Sequence, residues 1–578
     1  MVTREQLVEL LENIALLLEL QGENPFKIRA YRSAAAAAAS YAGDILEDAR
    51  EGRLESIPGI GQAIAGKIAG FVASGRLDYY DQLRAAYPDS LFELFRLRGL
   101  GPRKIKALHE SLRVNSLEDL KRVCASGEAS GLPGFGAKTC AKILESIAFL
   151  ESNAERFRLG DVLPLAMALR ESLREHPAAL QVSEAGSVRR GCETVHDLDF
   201  IVATSSPRAV LDAFTRRQEV REILSNGETK ASVLLQNGLQ CDLRAVSNRE
   251  YPFALQYFTG SKEHNVALRG RARDQGFTLN EYRLAPLEDN GPAPPGINTE
   301  EELYGALGLP WIDPALRENA GEFEAAANGT LPQLVRQENL RGTFHNHTTA
   351  SDGRSSLQEM AEAARDLGLQ YLGIADHSRS SVQANGLDAK RLEAQFAEIQ
   401  LLNKSFDGFK LFAGVECDIL RDGSLDFDDH VLSQLDYVVA SVHSSFQLSE
   451  KDQTERILRA VANPYVTILG HPTGRLLLER DPYALDLPAV IDACADTGTW
   501  IELNANPWRL DLDWRWWRRA RDRGVRCAIN PDAHHCSGLQ DLHFGLLAAR
   551  KGWLRREDVV NCLPIGDVEK ALRLKRRA

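Results

Sequence analysis

Seven apolar, strand-like runs separated by helical stretches fill the C-terminal part of this chain. They lie near Thr343–His347, Tyr371–Ala375, Leu411–Glu416, Asp436–Val442, Val466–Gly470, Thr499–Asn504 and Arg526–Asn530. Repeated β-then-α patterning predicts parallel strands joined by crossover helices, in a barrel or an open sheet. Nine of the thirteen histidines lie beyond residue 340, and most stand where these runs end. The motifs are His345-Asn346-His347, Asp376-His377, Val442-His443, Gly470-His471 and Asp532-Ala533-His534. Glu416 ends Leu411–Val415 in the same way, and Asp352 follows the first run by a short loop. In an α/β barrel the C-terminal strand ends converge on one face, so these groups would converge too. A single buried histidine is ordinarily a hydrogen-bonded core residue. Histidines at successive strand ends, with carboxylates and no thiolates, instead suit Zn2+, Mn2+ or Fe2+. His430, His535 and His543 stand outside this pattern.

The first 150 residues carry a different signal. Three short motifs recur: Ile57-Pro58-Gly59-Ile60-Gly61, Leu97-Arg98-Gly99-Leu100-Gly101 and Leu132-Pro133-Gly134-Phe135-Gly136. Each separates two helical stretches, the second rich in Ala, Lys and Ile, as in Gln62–Phe71 and Pro102–Leu112. This is a helix–tight turn–helix repeat in which glycine permits a positive-φ turn and the next helix start offers free N–H groups to an anion. A dinucleotide loop needs a preceding strand and a third glycine in register, and Gly59-Ile60-Gly61-Gln62-Ala63-Ile64 has neither. The pattern resembles the helix-hairpin-helix, a module that grips DNA phosphates without reading sequence.

From about 160 to 330 the pattern is mixed. Asp199–Ala203, Ser232–Leu235 and Leu239–Ala245 read as strands, and a boundary is expected between Asn328 and Gly342. The segment Gly186-Ser187-Val188-Arg189-Arg190-Gly191 precedes Asp197-Leu198-Asp199. Such a turn can hold a triphosphate through N–H groups and guanidinium charge. Asp197 and Asp199 open an apolar strand and share a face, while Asp242 points away from the apolar face of its own strand. Three converging carboxylates repel unless cations sit between them, and two Mg2+ ions suit in-line displacement at phosphorus. The second Asp-Leu-Asp, Asp511-Leu512-Asp513, has no such surroundings and is expected to be solvated.

The segment from Gly186 to Asp199, with Asp242 and Tyr257-Phe258-Thr259-Gly260-Ser261, resembles family X DNA polymerases. The resemblance implies a palm in which Asp197 and Asp199 bind both metals, Mg2+ or Mn2+. Asp242 would bind the catalytic metal and help activate the primer 3'-OH. It implies that Ser187 and Arg190 contact the triphosphate, with Gly186, Tyr257, Phe258 and Gly260 beside the nucleotide. Asn265 and Arg269 would make minor-groove contacts. Pro25–Arg32, with Lys27 and Arg32, followed by Gly59, Gly61 and Lys67, resembles the family's amino-terminal domain, which binds a 5'-phosphate in a gap. Lys67 falls where some members keep a Schiff-base lysine for deoxyribose-phosphate removal. Ala63 stands where those members carry a further lysine, and a lysine simply meeting phosphate is the competing reading.

The histidine set resembles the PHP (polymerase and histidinol phosphatase) domain attached to bacterial members, a phosphoesterase barrel with up to three metals, Mn2+, Zn2+ or Fe2+. All nine ligand positions are filled: His345, His347, Asp352, His377, Glu416, His443, His471, Asp532 and His534, with Glu416 bridging two metals. The family's nuclease activities include 3'-5' exonuclease and abasic-site cleavage.

At 578 residues the chain is too long for one core. The expected fold is multidomain: all-α helix-hairpin-helix regions at 1–85 and 86–155, an α+β nucleotidyltransferase palm with thumb at 156–335, and an α/β distorted (β/α)7 PHP barrel at 336–578. DNA contacts are expected at Lys27, Arg32, Gly59, Gly61, Gly99, Gly101, Gly134 and Gly136. Nine scattered cysteines fit reduced thiols, and the acidic amphipathic start is unlike a signal peptide. The net charge of −12 gives no global argument for or against nucleic acid. The expectation is a monomeric, cytoplasmic DNA-repair polymerase, nucleoid-associated when on DNA. It would use gapped or nicked DNA and dNTPs, with an attached nuclease and no membrane partner. Two other classes compete: a metal-dependent phosphoesterase of small monoesters with an inactive polymerase half, and a non-catalytic DNA-end binding module.

Overall fold

The computed structural model describes residues 2–575 apart from 42–43, 98–99, 290 and 292. The chain divides into two compact units, Met1–Ala154 and Glu155–Ala578. No helix among the described residues is long and apolar enough to cross a membrane. The nine cysteines are free thiols.

The first unit is helical. Helix Arg4–Gln21 starts at Thr3, whose side chain and that of Gln6 cap each other's backbone N–H, and it stops at Gly22 in the left-handed region. Leu7, Leu11, Ile14 and Leu18 pack on Tyr31, Ala34, Ala35 and Ala38 of helix Pro25–Ser40. The run of small alanines lets the two backbones come close. Leu20, from the same first helix, enters a second core with Leu91, Ile105, Leu108, Phe135 and Ile147.

The glycines of the repeats divide their labour. Gly59 and Gly134 take φ of +95° and +84°. A Cβ at Gly59 would stand 3.3 Å from the Ser33 carbonyl oxygen. Gly61, Gly101 and Gly136 have extended backbone and cap helices Gln62–Ser74, Pro102–Leu112 and Ala137–Asn153. The expectation that the glycines serve as positive-φ turns therefore holds for the first glycine, and the second is a helix cap. Gly99 lies outside the described residues.

The second unit begins with a five-stranded sheet: β1 (Gln181–Glu184), β2 (Asp197–Ala203), β3 (Val220–Asn226), β4 (Lys230–Leu235) and β5 (Gln240–Val246), in the order β1-β2-β5-β4-β3. Strands β2 and β5 are parallel, with Asp199 opposite Asp242; the other pairs are antiparallel. Leu198, Phe200 and Val202 are buried against helices Leu159–Arg174 and Pro207–Thr215, which leaves the aspartates on the other face.

A second core, around Leu268, Leu303, Tyr304, Leu307 and Leu316, holds residues that follow the sheet. One buried ion set ties it to the Gly186–Arg189 turn. Glu300 accepts from Arg189 Nη2 (2.6 Å) and Arg317 Nη1 (2.8 Å), and Arg317 is fully buried.

The strands beyond residue 340 are β6 (Gly342–Thr343), β7 (Tyr371–Ile374), β8 (Lys410–Ala413), β9 (Glu416–Asp418), β10 (Val439–Ser441), β11 (Ile468–Leu469), β12 (Trp500–Asn504) and β13 (Cys527–Asn530). They form two all-parallel sheets, β6-β7-β8 and β9 to β13 in sequence order. Single parallel bridges, His377–Glu416 and Asn346–Ala533, join the sheets at both seams. The expected run Leu411–Glu416 is thus interrupted at Gly414-Val415, and Glu416 opens a strand rather than closing one. Tyr437 packs against this break, buried inside the strands with its hydroxyl against the carbonyl oxygens of Phe344 and Ile374. A Cβ at Gly414 would stand 2.4 Å from that ring.

Asp511 is also a correction. It is fully buried rather than solvated and accepts from the Thr473 N–H (3.0 Å) and hydroxyl (2.9 Å), while Asp513 accepts from Arg475. Six residues separate the tripeptide from β12, and the chain then returns to that strand in an antiparallel bridge between Asn504 and Asp511, which places the Asp511 side chain in the interior.

Burial pushes the Glu300 carboxyl up, but the Arg317 and Arg189 guanidiniums override it and hold it at about 2, against an ordinary value of 4.5. The stabilisation is therefore fully present above about pH 4.5 and lost as pH falls toward 2. It amounts to about 3 kcal/mol, at roughly 1.4 kcal/mol for each tenfold change in proton affinity. Glu300→Gln should lower the melting temperature at neutral pH, and the gap to wild type should close on acidification. An equal gap at about pH 7 and about pH 2.5 would exclude this role.

Candidate active sites

The first site starts from a constraint on one glycine. Gly186 begins the single helical turn Gly186–Arg189 with φ of +59°, and a Cβ there would stand 2.5 Å from Asp199 Oδ2. The Asp199 carboxylate thus lies directly on the turn's backbone, which only glycine allows.

Gly186, Ser187, Arg190, Tyr257, Phe258, Gly260, Asn265 and Arg269 all border one cavity of about 750 Å³, together with Asp197 and Asp199. The aromatic pair meets edge to face at 5.1 Å, and the Arg269 guanidinium stands 5.9 Å from the Tyr257 ring. Asn265 donates to the Tyr257 carbonyl (2.6 Å) and accepts from Gln256 (2.8 Å), so its amide is fixed in orientation. Arg190 donates to the Thr259 carbonyl (2.5 Å) and to Glu318 (2.9 Å).

Burial pushes the Asp197 and Asp199 carboxyls up, and the neighbouring aspartates add to it; Asp199 reaches about 7. Asp242 accepts from Gln240 (3.1 Å), and Lys230 Nζ stands 2.5 Å from its other oxygen. Sequence pattern does not reveal Lys230, because only the pairing of β4 with β5 brings it there. Two half-buried, mutually repelling carboxylates beside a third are a donor set that divalent cations fit. Their oxygens gather less tightly than the second site's. Among the described residues, the sets of three or four His, Asp or Glu with ligand atoms within 4.8 Å of one another all lie beyond residue 340.

Those sets are His347, Asp352, His377 and His534; His345, His347 and Asp532; and His377, Glu416 and His443. His471 joins through Glu416, at 2.9 Å. All nine residues picked from the sequence are therefore together. Glu416, 1% exposed, faces four imidazoles: His377 at 2.8 Å, His471 at 2.9 Å, His443 at 3.2 Å and His345 at 3.3 Å. Burial pushes its carboxyl up, and the surrounding histidines hold it well below the ordinary range. His345 Nε2, His347 Nδ1, His377 Nδ1, His471 Nδ1 and Glu416 Oε2 are buried without a hydrogen-bond partner. A buried cluster of imidazoles and carboxylates that includes such orphaned atoms fits divalent metal ions. His430, His535 and His543 are exposed.

The residues that orient these groups are not evident from sequence pattern. Glu502, fully buried in β12, stands 2.8 Å from His345 Nδ1 and accepts from the His471 N–H (2.7 Å) and Asn530 (2.9 Å). Asp418 stands 2.5 Å from His443 Nδ1 and accepts from Ser380 and Ser381. An acid within an apolar strand, as in Trp500-Ile501-Glu502-Leu503, is the one signal that could have found them.

In the first unit, Lys67 Nζ donates to the Tyr31 hydroxyl (2.6 Å) and stands 4.0 Å from the Tyr79 ring centre. Burial, then the charge of Lys27, lowers its pKa. Lys27 pairs with Glu23 (2.8 Å) and Arg32 with Glu19 (2.5 Å).

A helical unit with glycine-capped turns, a sheet bearing paired aspartates beside a cavity lined by Ser187 and Arg190, and a parallel-strand module with a histidine–carboxylate centre define a polymerase of the nucleotidyltransferase type joined to a metal-dependent phosphoesterase. Family comparisons agree. A helix-hairpin-helix domain matches residues 2–77, a SAM-like helix-hairpin-helix tandem 92–148, a DNA polymerase beta thumb 254–318 and a PHP domain 343–504. The DNA polymerase/3'-5' exonuclease PolX of Bacillus subtilis (strain 168) is 39% identical over 575 residues, covering 99% of each chain. A protein named probable phosphatase in Thermoanaerobacter sp. (strain X514) is 28% identical over 244 residues, 40% of this chain and 94% of its own. The chain belongs to the bacterial family X DNA polymerases that carry a PHP domain.

Removing a group that orients a metal-ligating histidine typically weakens metal affinity by about 10–100-fold. Glu502→Gln should do so for Mn2+ or Zn2+, measured by titration calorimetry or competition with a chelating dye. Unchanged affinity would remove Glu502 from this role.

Proposed function

We propose that this chain fills short gaps in DNA during base-excision or end-joining repair, and that its C-terminal module trims or opens DNA ends as a 3'-5' exonuclease and abasic-site endonuclease. One observation carries the reading. The cavity at Gly186–Asp199 collects the triphosphate-type contacts and the paired aspartates in a chain aligned end to end with a polymerase/exonuclease.

In this reading Ser187 and the Gly186–Arg189 backbone bind the triphosphate with Arg190. Tyr257 and Phe258 flank the sugar, Gly260 lets the backbone approach it, and Asn265 and Arg269 face the base pair. Asp197 and Asp199 hold two Mg2+ or Mn2+ ions. Asp242, opposite Asp199 in register, would join them in holding the catalytic ion and help activate the primer 3'-OH. His345, His347, Asp352, His377, Glu416, His443, His471, Asp532 and His534 hold up to three Mn2+, Zn2+ or Fe2+ ions. Such ions supply Lewis-acid polarisation at phosphorus and offset charge developing on oxygen.

The unbroken parallel pairing within each sheet, with bridges at both seams, supports a distorted (β/α)7 barrel whose third strand is the bent β8–β9. Boundaries at 85, 155 and 335 follow from the sequence pattern. Gly59, Gly61, Gly101, Gly134 and Gly136 lie at turns suited to DNA phosphates, and Gly99 of the same sequence motif, Lys27 and Arg32 complete the expected DNA contacts. We take the protein to act as a cytoplasmic monomer on gapped or nicked DNA with dNTPs. The similarity to proteins named probable phosphatases favours small phosphate monoesters as a second substrate class for the histidine centre; cleavage of a monoester by purified protein that extends no primer would instead point to an inactive polymerase half.

Asp197→Ala should abolish primer extension, by about a thousandfold or more, with nuclease activity largely intact, and His345→Ala should do the reverse. A labelled gapped duplex with dNTPs, run separately in Mg2+ and Mn2+, reads both, and loss of both activities in either variant would refute two independent sites. Borohydride trapping on abasic DNA tests the lowered Lys67 amine: Lys67→Ala should lose the trapped adduct, and undiminished trapping would rule that residue out.

A further inference from the structure

The phosphate end of the polymerase cavity is not built by the palm alone. Trp514, Arg515 and Lys551, all from the histidine-rich module, border it beside Ser187 and Arg190. Helix Leu542–Lys551 ends with Lys551, whose side chain is 1% exposed. Its ammonium pairs with Glu318 Oε1 and lies 3.3 Å from the Arg190 carbonyl oxygen. The same Glu318 oxygen accepts from Arg190 Nε at 2.9 Å. The Trp514 ring centre lies 4.7 Å from the Lys551 ammonium, and its indole N–H donates to Glu193 at 3.0 Å.

Charge decides what this arrangement does. Arg190 and Glu318 alone would be a neutral pair, and a neutralised guanidinium attracts phosphate weakly. Burial pushes the Glu318 carboxyl up, while Lys551 and Arg190 together hold it below its ordinary value, so it is ionised at neutral pH. One carboxylate shared by two cations leaves the trio with a net positive charge beside the cavity. In a partly buried site, where screening is weak, that charge is felt by a triphosphate.

We propose that Lys551 is a positioning residue of the polymerase: by sharing Glu318 it leaves Arg190 with net positive charge for the triphosphate of the incoming nucleotide, so the nuclease module takes part in nucleotide binding. The inference rests on reading the cavity as the dNTP site.

The test is steady-state gap filling by the full chain with dNTP titrated, together with inhibition by inorganic pyrophosphate. Lys551→Met should raise the KM for dNTP and the pyrophosphate inhibition constant about tenfold, with kcat within about twofold. Lys551→Arg should behave as wild type. Glu318→Gln alone should leave KM unchanged or lower it. The double variant Lys551→Met/Glu318→Gln restores the trio's charge and should return KM to within about threefold of wild type. An unchanged KM in Lys551→Met, or a double variant as weak as Lys551→Met alone, overturns the proposal, since a purely packing role predicts one or the other. Should Lys551→Met fail to fold, Glu318→Gln decides alone: a raised KM overturns the proposal and an unraised one supports it. A wild-type chain that extends no primer would instead refute the reading of the cavity.

Discussion

A carboxylate almost sealed from water must be surrounded by compensating charge or it will not stay ionised. Imidazoles that follow different strands stand around Glu416, His345 after β6, His377 after β7, His443 after β10 and His471 after β11, and the charges of His443 and His345 do most to hold it ionised. No single helix or hairpin could supply that geometry. It needs parallel strands whose ends reach one face, and it needs their opposite ends filled. Phe344, Tyr371, Phe412, Tyr437 and Trp500 do the filling, and Tyr437 fits only because Gly373 and Gly414 have no side chains. The metal-type centre and the aromatic plug are two answers to one packing problem.

The sheet of the palm meets the same difficulty with other means. There the carboxylates lie on neighbouring parallel strands, so register alone brings Asp199 opposite Asp242. The Lys230 ammonium pairs with Asp242, and Gly186 brings its backbone against Asp199. The Gly186–Arg189 turn is itself fixed by the buried pairing of Arg189 with Glu300, which Arg317 shares.

Much of this is legible in the amino-acid sequence. Period-two alternation places Asp197, Asp199 and Asp242 on one side of their strands, and positions after strand ends mark the histidines of the second centre, with Asp352 in the loop after the first and Glu416 at a strand start. The repeat of glycines announces the helical turns. What stays hidden depends on through-space pairing. Glu502 and Asp418 orient histidines from strands far away in sequence, and Lys230 reaches Asp242 only through antiparallel register. Asp511 misleads because local composition cannot report that the chain returns to β12 and places an acid in the interior. The split of β8 from β9 is equally invisible, since the ring that packs on Gly414 belongs to a tyrosine more than twenty residues further on.

The contact of Lys551 and Trp514 with the palm has a consequence for how such a chain can change over generations. Substitutions that empty the histidine centre of its ligands remove one chemistry and leave the scaffold standing. Deletion of the module would do something else. It would leave Glu318 facing Arg190 alone and strip Glu193 of Trp514 and Arg515. Gly191 would lose the Leu547 side chain that lies against it. The two modules share these contacts, so removing the whole C-terminal module disturbs the polymerase side in a way that substituting a histidine-centre ligand does not.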